Sequence, residues 1–133
     1  MLLNYVKING TSFDVDVAIS NYEEYFEVLD GENAGRSAAG RMIRDVIGTY
    51  IGHKVTFFGG KNSAAFDALW SYLLQHSVDD YVWLEAADNQ TQISYAAYYT
   101  SGSRKLSRVN DGTNYWDELS INFVPIDAAI RPN

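Results

Sequence analysis

Two long strand-like runs, Val15–Leu29 and Arg41–Phe58, flank a stretch of glycine, alanine and polar residues, Asp30–Gly40. A typical strand has about 5–6 residues, so two neighbouring runs of this length predict a β-hairpin over about 15–58 that reaches beyond its own sheet. A two-stranded ribbon is not stable alone in water. Something must cover it, and a neighbouring subunit is the simplest cover. The feature therefore points to assembly before chemistry.

The patterning within the runs adds detail. Val15, Val17 and Ile19 alternate with Asp16, Ala18 and Ser20, but beyond them the apolar positions become Tyr22, Phe26 and Val28. The parity slips by one, which predicts a bulge near Ser20–Glu24. On the return, Ile43, Ile47, Ile51, Val55 and Phe57 share one parity. Gly48 and Gly52 interrupt the other, where a strand bends or another backbone comes close.

Elsewhere the signals are local. Tyr5–Ile8 reads as a short strand ending in Asn9-Gly10, a turn pair that tolerates positive φ. Phe66, Leu69, Trp70, Leu73 and Leu74 recur at helical spacing behind a capping Asn62 or Ser63, predicting an α-helix over about 62–76 with one face on a sheet. Strands follow at 81–87, 91–100 and 115–124. In the last, Leu119, Ile121 and Phe123 alternate with Ser120 and Asn122 until Pro125 stops the run. Residues 101–114, rich in Ser, Arg, Asn and Gly, read as a polar excursion. The expectation is a single domain, 1–133, mainly β (α+β): an antiparallel β-sandwich or partial barrel with one flanking helix and the long hairpin.

Composition narrows the chemistry. A net charge of −7 argues against a nucleic-acid-binding module, whose footprint is basic. The chain has no cysteine, and its two histidines, His53 and His76, show no metal-ligand spacing. Both read as structural or exposed. The N-terminal residues lack a signal-peptide pattern, and no apolar run approaches a membrane span. Asp14, Asp16, Glu23, Glu24, Glu27, Asp30 and Glu32 form an acidic stretch without an intervening base. A glycosidase pair needs two carboxylates at a set separation, which sequence cannot select, and a solvated acidic face explains the stretch better. Arg36, Arg41 and Arg44 lie just beyond it, and Arg104, Lys105 and Arg108 form a second basic group. Separate acidic and basic surfaces suit head-to-tail contact between identical copies.

The order of these elements resembles a known group. The Lys7-Ile8-Asn9-Gly10 start, the hairpin with its Gly- and Arg-containing tip running into Met42-Ile43-Arg44-Asp45, the single helix, and a last strand with Tyr115-Trp116 and Leu119-Ser120-Ile121-Asn122-Phe123 resemble small tail proteins of tailed bacteriophages and prophages. The resemblance implies a tail-tube-like fold assembling into hexameric rings around a DNA channel. It implies partners in further copies, stacked rings or other tail proteins, with DNA passing unbound. It also implies a virion location after synthesis in the host cytoplasm, no membrane, no cofactor and no catalytic residue. On this reading Arg36, Arg41 and Arg44 engage a neighbouring subunit, and Glu23, Glu27, Asp30 and Glu32 face the channel. A carbohydrate-binding β-sandwich is the alternative, with Trp83, Trp116, Tyr98 and Tyr99 as stacking platforms.

Overall fold

The computed structural model describes residues 6–32, 34–36 and 40–132. Among the described residues the chain is mostly β, with an antiparallel sheet curled into a half-barrel and one helix. In chain order the elements are β1 (Val6–Ile8), β2 (Asp16–Val17), a 3-10 turn (Ile19–Asn21), β3 (Glu23–Asp30), β4 (Gly35–Arg36), β5 (Met42–Ile43), β6 (Val46–Phe58), α1 (Ser63–His76), β7 (Val82–Asp88), β8 (Thr91–Tyr98), β9 (Gly102–Asn110) and β10 (Thr113–Pro125).

Strand β10 joins the two halves of the sheet. Its last residues pair with β8, which continues through β7 to β1. Its middle pairs with β6 and its first half with β9, while β2 and β3 lie along the far side of β6. One half is therefore a four-stranded sheet, β3–β6–β10–β9, whose outer edges are β3 and β9.

The core fills the concave side. Inward residues of both halves, among them Val55, Phe57, Leu84, Leu119 and Phe123, meet Phe66, Leu69 and Leu73 of α1. The helix starts where predicted because the Asn62 side chain accepts the Ala65 N–H at 3.1 Å. Its buried stripe is narrower than the sequence periodicity implies. Trp70 is only partly buried and Leu74 is 57% exposed, bordering a groove of about 430 Å³ between the helix and the segment after β8.

The hairpin runs differ from the expectation in two ways. The parity slip is made by the 3-10 turn, which inserts three residues between the β2 and β3 registers on β6, rather than by a bulge. An odd insertion reverses parity as a single bulged residue would. Met42 and Ile43 leave the main return strand and pair with Gly35 and Arg36.

A larger correction concerns 101–114. It is half of a second long hairpin, β9–β10, turned by Asp111 (φ 50°) and Gly112 (φ 74°). Two consecutive positive φ values are the hairpin geometry that Asp-Gly favours. The strand was illegible because eight of its nine residues are exposed, so no apolar face marks it.

Candidate functional site

The region that sets this molecule apart is the β3–β6 arm. Strand β3 pairs with β6 from Glu23 opposite Lys54 to Asp30 opposite Val46, whereas β10 covers β6 only from His53 onward. The outer part of the ribbon is therefore two-stranded. It leaves Phe26 70% exposed, and Val28, Leu29 and Ile47 of the arm are exposed as well. The C-terminal segment braces one side, where Thr49 exchanges backbone hydrogen bonds with Ala129 and Ile130.

Alternation sorts the acidic residues. Glu23, Tyr25 and Glu27 lie opposite Lys54, Gly52 and Tyr50 on the face turned away from the core. The same face of β6 and β10 carries Thr56, Ser120 and Asn122; Thr56 and Ser120 hydroxyls meet at 3.2 Å, and the Tyr25 hydroxyl donates to Asn122 Oδ1 at 3.1 Å. Asp30 accepts both Arg44 N–H groups at 3.0 Å in a bidentate pair across the arm. Arg44 is thus engaged within its own chain. Glu32 and Arg41 are exposed toward the tip, and Arg36 lies on β4 with its side chain outside the described residues, as are Asn33 and Ser37–Ala39.

The two edges of the four-stranded sheet differ in charge. Strand β3 reads EEYFEVLD and β9 reads GSRKLSRVN, so one edge holds carboxylates without a base and the other holds cations without an acid. Each cation of β9 also has a local contact. Arg104 pairs with Asp67 at 3.0 Å, Lys105 with Glu118 at 3.2 Å, and the Arg108 guanidinium lies 4.2 Å from the Tyr115 ring centroid.

At the root of the arm lies a buried polar cluster that sequence reasoning missed. His53 is fully buried, opposite Glu24 in the β3–β6 register. Its Nδ1 is 2.6 Å from the Tyr95 hydroxyl on β8, and its Nε2 is 3.0 Å from the Ala87 carbonyl on β7. The neutral ring satisfies both, with Nε2–H donating to the carbonyl and Nδ1 accepting from the hydroxyl. Burial lowers the His53 pKa, which favours that neutral form. The signal available in the sequence was parity: His53 falls between Ile51 and Val55 on the inward face.

Among the described residues no group of three or more His, Cys, Asp or Glu side chains is placed to hold a metal, and no helix is long and apolar enough to cross a membrane. The four aromatic residues considered for sugar stacking are dispersed in role. Trp83 and Tyr98 are exposed, Trp116 lies beneath Arg104, and the Tyr99 hydroxyl donates inward to the Leu73 carbonyl. Comparison with family models, curated proteins and solved structures finds no match to the chain.

Proposed function

We propose that this protein is a structural subunit of a bacteriophage tail, in the tube or a tube-associated ring, that closes into a hexameric ring around the DNA channel. The observation that carries the reading is the opposite charge of the two open edges of one sheet. Every step from β3 through β6 and β10 to β9 is antiparallel, so β3 and β9 run in opposite directions. Rotating one copy about an axis along the strands presents its β9 edge to the neighbour's β3 edge in antiparallel sense. Free edges with complementary charge favour such pairing, and a head-to-tail contact that closes gives a ring.

In that ring the sheet face opposite the core turns inward. Glu23 and Glu27 stand there beside Tyr25, Thr56, Ser120 and Asn122, with Asp30 and Glu32 nearer the tip. DNA binds cationic surfaces strongly, and a polar, acidic lining lets it pass. Arg44 braces the arm through Asp30 within its own chain, which leaves Arg36 and Arg41 as the arm's candidates for contact with the adjacent subunit. The protein acts without catalysis or cofactor, within the virion.

Light scattering tests the reading. The wild-type chain should sediment and scatter as a ring. Lys105→Glu with Arg108→Glu should give folded monomers, and adding Glu23→Lys with Glu27→Lys to the same chain should restore assembly. A wild-type protein that stays monomeric at high concentration overturns the proposal.

A further inference from the structure

The core side of the sheet carries two apolar features that one chain leaves open. The first is on the arm. From Glu23 to Leu29 the β3–β6 register is unbroken, with Glu24 opposite His53, Phe26 opposite Ile51 and Val28 opposite Thr49. Opposed residues share a face, and buried His53 marks this one as the core side. Exposed Phe26 and Val28 therefore project from the core side of β3.

The second is the groove of about 430 Å³ beside α1, floored by Leu119 and Ile121 and walled by Trp70, Leu73 and Leu74. Gly102, opposite Ile121 in the β9–β10 ladder, forms its rim at the outer edge of the sheet. A Cβ on Gly102 would meet the Ser120 carbonyl oxygen at 3.6 Å and Ile121 Cδ1 at 4.0 Å, which are ordinary contacts. The fold has room for a side chain there, and its absence leaves the groove open toward the edge.

We infer that Phe26 of one copy docks in the groove between α1 and the start of β9 of the next copy. The inference rests on the reading that β3 of one copy meets β9 of its neighbour, and it adds the apolar contact that fixes their register. Charge complementarity selects a second copy as the occupant: Phe26 sits among the carboxylates of β3, and the groove borders the cationic β9. An apolar projection and a recess at different places on one molecule make a head-to-tail contact. Rotation about an axis along the strands keeps the core sides of adjoining sheets together, so Phe26 arrives on the groove side of β9. Phe26 lies level with Ile51, whereas Gly102 lies level with Val55 through Ile121, four residues further along β6. Strand β9 runs in the same direction as β6, so the groove residues Tyr99 to Ser101 extend toward the level of Phe26. Strand tilt in a closed sheet supplies the remaining stagger.

Disulfide trapping tests the contact, because the chain has no cysteine of its own. Phe26→Cys chains mixed with Leu74→Cys chains and oxidised should give linked dimers at several-fold higher yield than Ile19→Cys chains mixed with Leu74→Cys chains. Phe26→Ser and Gly102→Val should each leave the monomer folded and raise the protein concentration needed for assembly about tenfold or more. Rings that form as readily in both variants as in the wild type, with no excess of the Phe26→Cys to Leu74→Cys link, overturn this inference and leave the ring reading standing. A wild-type chain that stays monomeric at high concentration overturns both. Linked chains that grow into open polymers support the docking and overturn ring closure alone.

Discussion

The guanidinium of Arg104 lies 4.5 Å from the ring centroid of Trp70. It lies equally close to Trp116, so a cation from β9 is held between an aromatic ring of the helix and one of β10. The side chain is only 16% exposed and its charge is met by Asp67. This stack fastens the second hairpin to α1. A planar guanidinium can lie flat on two rings where a lysine ammonium cannot. Arg104→Lys should therefore keep the charge and still cost about 1–2 kcal/mol, read as a lower urea midpoint with an unchanged slope.

Gly48 has a different kind of neighbour. A Cβ there would stand 2.7 Å from the Ala128 Cβ and 3.0 Å from the Ile130 carbonyl oxygen. The segment that hydrogen-bonds Thr49 would have to shift. Gly48→Ala should cost about 1–3 kcal/mol and raise amide exchange at Ala129 and Ile130 more than in α1. Equal protection at both sites would contradict the bracing role of the C-terminal segment.

The polar cluster makes a signed pH prediction. His53 has a folded pKa below its ordinary 6.5, so its contribution to stability is present above that value and lost as pH falls. Glu24 is raised from 4.5 to about 7, so its contribution is complete below the lower value and lost as pH rises through the upper. The two slopes oppose each other in the interval between 4.5 and 6.5. Glu24→Gln removes one of them. Urea melts across about pH 5 to pH 8 should show stability of the variant rising to near neutrality and then levelling, while the wild type declines on the alkaline side.

Much of the framework was legible because its signals are local. The helix over Ser63–His76 follows from a 3.6-residue stripe and a capping Asn62, and β10 from alternation that ends at Pro125. Asn9 and Gly10 take the positive φ values their types favour, and Ile8 and Thr11 close the turn with paired backbone hydrogen bonds. The acidic and basic clusters were visible as charge, though not as edges of one sheet.

Tertiary structure decided the rest, where identity depends on a partner distant in sequence. Strand β9 has no buried face to announce it, and it is a strand because β10 offers a ladder. Leu74 matches the helical stripe but falls outside the area the half-barrel can cover. Arg44 meets Asp30 because the arm folds back and places the two across it. His53 carried a parity, and parity alone points a side chain inward. That it meets Tyr95, Ala87 and Glu24 follows from three strands converging at the root of the arm, a geometry that no local window of sequence contains.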